Sequence, residues 1–344
     1  MTLRNWLIIP LALLSCFAKA NGFDAALSNF KQLYQQELGS VQECTQQQDQ
    51  QVKLCSPALK NDGNAPYILH HGETTDKVVV LFHGLSDSPF YFKSIAKAIH
   101  QQGTTVVVGL LPGHGKVNAD EDMEDESLAN RWEQHVSKTV SLASALGEKL
   151  YVGGFSTGGA LATQFTLNNP DKTKGLILFS GALDLGEKVE SMADIWGINW
   201  LAKFLDGDYQ TQGSNPFKYP EVSAYSSIEL VEVIKNVREL LNQNGGIDTA
   251  IFAAHSAADT TTLLSGINHL MANNRGKNAL FEISEKHDVC HADVVINEQQ
   301  VAEIQFDLSK LAGEPDKCDV PTANPQHTEM LAAALEFLQE PTVN

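Results

Sequence analysis

The chain has 344 residues, 43% hydrophobic and 19% charged, which suits one large α/β domain with an insertion, or two small domains. Its 42 acidic and 24 basic residues give a formal net charge of −18. A surface of that sign repels nucleic acid and anionic membranes, so neither is expected as a partner.

The N-terminus reads as a secretory signal over residues 1–20. Arg4 supplies the positive start, residues 6–14 are an apolar run too short to span a bilayer, and Ala18-Lys19-Ala20 is an A-x-A cleavage pattern. The mature chain is then exported, to the periplasm or beyond. A rival reading is a lipoprotein, because Leu13-Leu14-Ser15-Cys16 is close to a lipobox and would anchor the chain through Cys16. No later segment is apolar and long enough to be a transmembrane segment. The remaining cysteines are Cys44, Cys55, Cys290 and Cys318, and an even number in an exported chain suggests disulfides. Nearest-neighbour pairing, 44 with 55 and 290 with 318, is the simplest of the three connectivities. No Cys-x-x-Cys or close Cys/His set suggests a metal site.

After the signal, residues 21–65 form an N-terminal extension. Phe23, Leu27, Phe30 and Tyr34 recur at helical spacing, which predicts a helix over 23–38. The Gln-rich stretch 41–60 reads as irregular. An alternating strand–helix pattern runs from residue 66 to 344. Residues 77–82 are a β-branched buried strand, 89–102 a helix, 104–111 a strand and 128–146 a helix. The acidic run 120–126 reads as a solvated loop. Next come a strand over 149–153, a small-residue helix from 159 and a strand over 175–180. Alternation stops there, and an insertion at about 184–248 is read as a helical cap, with a helix at 228–241. Strands at 250–254 and 278–283, with helices at 262–272 and 329–338, complete a mostly parallel sheet covered on both faces.

Gly154-Phe155-Ser156-Thr157-Gly158 lies between a strand and a helix, the context of a nucleophile elbow. The turn is so tight that positions two before and two after the Ser must be small. A Ser hydroxyl needs a His to take its proton and a carboxylate to orient that His. In such an arrangement the chain order is Ser, acid, His, each on a loop at the carboxyl end of a strand. Asp259 follows the strand at 250–254 and is the candidate acid. Asp248 precedes that strand and falls at the wrong end. The competing reading of Asp259 is a cap for the next helix. His287 and His291 both follow the last strand. His291 is preferred because it adjoins Cys290, whose bond to Cys318 would fix the loop. Two backbone N–H groups are needed for an oxyanion hole, and Thr157 and Leu85 are the candidates, the latter freed by the turn at Gly84. His83 and His114 read as turn-packing residues.

With those residues placed, the chain from about residue 66 resembles the bacterial α/β-hydrolase group of carboxylesterases and monoacylglycerol lipases. The matching pieces are H-G-L-S-D-S-P at 83–89, L-P-G-H-G at 111–115, G-F-S-T-G-G at 154–159 and H-S-A-A-D at 255–259. The resemblance implies an α/β-hydrolase fold with an inserted helical cap. It also implies a Ser156–Asp259–His291 triad, with Leu85 and Thr157 as oxyanion donors. The expected activity is cleavage of a neutral, apolar carboxylic ester through an acyl-enzyme, with no metal or organic cofactor. The alternatives are an aminopeptidase or amidase of the same fold, in which Glu187, Glu190 or Asp194 would hold the substrate amine, and a silent binding protein. Trp196, Trp200, Phe204 and their apolar neighbours would line an acyl pocket or only pack the cap. The sequence gives neither the acyl length nor the oligomeric state.

Overall fold

The computed structural model describes residues 11–45, 50–186, 190, 209–311 and 314–339. Helix α1 (Leu11–Leu38) starts well before the expected residue 23. Phe23, Phe30 and Tyr34 are buried, and Leu27 packs partly buried beside them. The stretch expected to be irregular instead supplies β1 (Gln42–Glu43) and β2 (Gln51–Cys55), paired antiparallel. The Cys44–Cys55 disulfide therefore closes a hairpin rather than a loose loop. β2 pairs with β3 (Tyr67–Leu69), a strand the sequence reading missed.

The remaining strands are β4 (Thr75–Phe82), β5 (Thr105–Gly109), β6 (Gly147–Phe155), β7 (Gly175–Phe179), β8 (Ala250–Ser256) and β9 (Asn278–Ile283). The nine strands lie in the order β1-β2-β3-β5-β4-β6-β7-β8-β9. β3 pairs with β5 antiparallel, and β5, β4, β6, β7, β8 and β9 are all mutually parallel. β4 shows why its sequence is an unbroken apolar run. Val78, Val80 and Phe82 fill the core on one face of the sheet, and Val79 and Leu81 the core on the other. Each such side chain taken fully from water contributes about 1.5–3 kcal/mol.

Helices α2 (Lys93–His100), α3 (Asp120–Met123), α4 (Leu128–Ala143), α5 (Thr157–Asn168), α6 (Ala224–Gln243), α7 (Leu264–Ala272), α8 (Glu298–Ile304) and α9 (His327–Gln339) complete the layers. α1, α4, α5, α6 and α7 cover one face, and α2, α8 and α9 cover the other. The molecule is an α/β-hydrolase fold. Between β7 and β8 no strand occurs among the described residues, and α6 lies against α4 and α5. Trp196, Trp200, Phe204, Glu187 and Asp194 lie outside the described residues. The acidic run is not a solvated loop. Its first four residues form α3, and Arg131 bonds Asp122 at 2.8 Å and Asp125 at 2.9 Å while reaching Glu37 of α1 at 3.1 Å.

Candidate active site

All parallel strands present their carboxyl ends to one edge, the edge where α/β sheets place ligands. The loops after β4, β6, β8 and β9 carry Leu85, Ser156, Asp259 and His291. Ser156 joins β6 to α5 with φ 52° and ψ −118°, a conformation that costs a non-glycine residue about 1–3 kcal/mol. Surrounding backbone holds it there. Its N–H donates to Phe179 O at 3.1 Å, and its carbonyl accepts from Gly159 and Ala182 N–H at 2.9 and 3.0 Å. A Cβ at Gly154 would strike the Gly158 backbone, and one at Gly158 would fall on the Phe82 carbonyl. The flanking glycines are therefore steric requirements of the turn.

Asp259 and His291 meet, with His291 Nδ1 2.6 Å from Asp259 Oδ2. The carboxylate accepts at that contact, so Nδ1 carries the proton and Nε2 is the bare nitrogen of a neutral ring. The His291 ring lies 4.8 Å from that of Phe155, the residue before Ser156. Asp259 Oδ1 accepts from Thr261 and Thr262 N–H at 2.9 and 3.1 Å, and Oδ2 also accepts from Thr262 Oγ1 at 3.0 Å. Burial pushes the Asp259 carboxyl up, but the His291 imidazole and the Thr262 N–H outweigh it and hold it below the usual carboxylate range. Asp259 does not cap α7, which begins after Leu263. His255 of β8 is fully buried, with Nε2 3.0 Å from Thr262 O and 3.8 Å from Asp259 Oδ2.

His291 opens a 3₁₀ turn (His291–Val295) just after the Cys290–Cys318 disulfide. Asp293, buried in the same turn, accepts from Thr322 N–H at 3.1 Å and Thr322 Oγ1 at 2.6 Å. The His291 loop is thus stitched twice to residues 318–322. His287 ends a separate 3₁₀ turn (Glu285–His287), and it is His291 that pairs with Asp259.

The loop after β4 turns at Gly84, where a Cβ would collide with the Asp87 carboxylate and the Phe155 ring. His83 is wholly buried. Its Nε2 accepts from Leu111 N–H at 3.1 Å, so Nδ1 donates to Gly84 O at 2.8 Å. Asp87 N–H reaches the same carbonyl at 3.2 Å. The Gly84 carbonyl is therefore held on one side, and across a trans peptide the Leu85 N–H faces the other. His114 sets its ring nitrogens against Pro112 O and Leu85 O. Both histidines pack the turn, as the sequence reading expected. Thr157 is the first residue of α5, so its N–H has no intrahelical acceptor.

Thr262, His255 and Asp293 were missed in the sequence. The run Asp259-Thr260-Thr261-Thr262 does carry a local signal, an Asp followed by residues whose N–H groups it can accept. Nothing local announces the Thr322 tether. Among the described residues one group has metal-ligand spacing, Cys44, Cys55 and Asp62, and its two sulfurs are joined in a disulfide.

A sheet of this order, with a strained Ser at the β6–α5 turn and an Asp–His pair beyond it, defines an α/β hydrolase. The family model described as serine aminopeptidase, S33, matches residues 73–290, more than half of the chain, and the protein belongs to that family. The chain is 24% identical over 184 residues to the thermostable monoacylglycerol lipase of Bacillus sp. (strain H-257), covering 53% of this chain and 70% of that one. Among solved structures, it resembles that of the metagenome-derived lipolytic enzymes LipS and LipT with a TM-score of 0.54 and 17% identity, covering 67% of this chain and 91% of that one. The monoacylglycerol lipase of Paleococcus ferrophilus gives a TM-score of 0.53 at 17% identity, covering 77% and 95%. At these identities the structural likeness speaks for the fold. No helix among the described residues is long and apolar enough to cross a membrane.

Proposed function

We propose that the protein is a serine hydrolase of carboxylic esters, working through an acyl-enzyme on Ser156. The observation that carries this reading is the short Asp259–His291 contact beside a strained Ser156. His291 Nε2 takes the Ser156 proton as Oγ attacks the ester carbonyl. Asp259 holds the ring in the required tautomer and stabilises the imidazolium that forms. The tetrahedral oxyanion sits between the N–H groups of Leu85 and Thr157. The leaving alcohol takes the proton back from His291. Water then repeats the sequence on the acyl-enzyme and frees the acid. The similarity to a monoacylglycerol lipase supports an ester as substrate, and the net charge of −18 favours a neutral one.

The family description favours an amide reading as well. An aminopeptidase needs an acid to hold the free amine. Of the acids considered for that role, Glu190 is described, and it is engaged by Arg238 and Leu185 N–H. The ester reading is therefore preferred. A p-nitrophenyl ester series from acetyl to palmitoyl, run beside aminoacyl p-nitroanilides, decides between them. The reading predicts ester turnover with an optimum in acyl length, lost in Ser156→Ala. Turnover of the anilides alone would replace it with the peptidase reading. A folded protein that turns over neither would point to a silent binding protein.

A further inference from the structure

We infer that residues 60–64 of the N-terminal extension are positioning residues for the oxyanion loop, acting through residues 215–219. The catalytic part of this inference rests on the reading of Leu85 as an oxyanion donor. Residues 215–219 form a strap that crosses the outside of the loop at 83–92. Tyr219 N–H donates to Ser86 O at 2.8 Å, and Ser88 Oγ donates to Phe217 O at 2.8 Å. The Phe217 ring is stacked on Phe90 at 3.8 Å and 10°. Asn215 Nδ2 donates to Tyr91 OH at 3.0 Å, and Lys218 Nζ lies 3.7 Å from Asp87 Oδ1. His83 and Asp87 N–H hold the Gly84 peptide from within the loop, and the strap holds the following residues 86–91, so that the loop carrying Leu85 N–H is fixed from both sides.

The strap is in turn held from its far side. Asn61 Nδ2 and Asn64 Nδ2 both donate to Pro216 O, at 2.9 and 3.2 Å. Lys60 Nζ donates to Lys218 O at 2.9 Å. Gly63 lies so close to Phe217 that a Cβ there would enter the ring. Phe217 is thus pressed between Gly63 and Phe90. An oxyanion donor works only when it is aimed within about 0.5 Å of the developing charge. A strap anchored on both sides meets that demand, and the segment 60–64 is the outer anchor.

The test is the Asn61→Asp, Asn64→Asp double variant of the full chain. It keeps side-chain size and lets residue 61 still accept from Gly63 N–H, a bond of 2.8 Å in the native chain. It replaces both donors to Pro216 O with acceptors. With p-nitrophenyl butyrate we expect kcat to fall roughly 10-fold with KM unchanged, less than the 10²–10³-fold that deleting a donor costs. Amide hydrogen exchange should accelerate across residues 83–92 and stay unchanged in β4 and β6. Acceleration confined to residues 56–65 with unchanged kcat would overturn the inference, as would general acceleration through the sheet. An inactive wild type would defeat the esterase reading alone. Exchange at residues 83–92 would then still decide the mechanical link, faster exchange upholding it and unchanged exchange ending it.

Discussion

Asp259 receives four hydrogen bonds on its two oxygens, three of them from Thr261 and Thr262. Thr262 is the unexpected member. Its hydroxyl lies 3.0 Å from the carboxylate, 3.2 Å from His291 Nδ1 and 3.3 Å from Ser180 O, so it touches both partners of the pair. A buried hydrogen bond to a charged group contributes about 1.5–3 kcal/mol. Thr262→Val keeps the shape and removes the donor. We predict that kcat falls about 10-fold or more and the melting temperature drops with it, measured by ester hydrolysis and thermal unfolding. An unchanged kcat would reduce Thr262 to packing. The elbow was legible in the sequence because its constraint is local, since Gly154 and Gly158 are dictated by backbone contacts around Ser156. Asp259 and His291 were legible through chain order and strand ends. Thr262 was half legible, for its N–H bonds are local but its hydroxyl reaches Ser180, 82 residues away.

Elements decide how firmly His291 is held. The 3₁₀ turn at His291–Val295 is tied to the C-terminal segment by Cys290–Cys318, by Asp293 with Thr322, and by Asn324 Nδ2, which donates to Val294 O at 2.9 Å. The disulfide spans 28 residues, and chain entropy assigns a loop of that size roughly 3–4 kcal/mol. Replacing both cysteines with Ser should lower unfolding free energy by about that amount in denaturant titrations. It should also lower kcat more than it raises KM. Unchanged kcat at lowered stability would mean that the Thr322 and Asn324 tethers suffice. The pairing was legible from cysteine counting, whereas β2 was not. Val52 and Leu54 do alternate with Gln51 and Lys53, but the strand is only five residues long and follows a Gln-rich run, too short a pattern to stand out. The strap at 215–219 was invisible for a different reason. Its hydrogen-bond partners across the fold lie between 103 and 158 residues away, and neither propensity nor periodicity records such contacts.

Across the whole molecule, buried neutral histidines should govern acid stability. His83, His135 and His255 are all buried, and burial lowers each below the ordinary imidazole range, His135 to about 3. The unfolded chain takes up protons at about 6.5, before the folded chain does. The stability these groups give is therefore whole above pH 6.5. It is lost as pH falls toward their folded values, by at most about 1.4 kcal/mol per pH unit for each group. Melting temperature should fall steadily from pH 6.5 toward pH 4. His135→Gln should flatten that slope by about one proton, and an equal slope in the variant would count against the assignment. The same scale holds the proposed link from residues 60–64 through the strap to the loop at 83–92.

The central claim is that Ser156 is a nucleophile activated by His291. The most direct measurement is covalent labelling by a fluorophosphonate, followed by peptide mass spectrometry, on wild type, His287→Ala and His291→Ala. The account predicts an adduct on Ser156, formed at wild-type rate in His287→Ala and at least about 100-fold more slowly in His291→Ala. A folded wild type that takes no label, or equal labelling of His291→Ala, would contradict it.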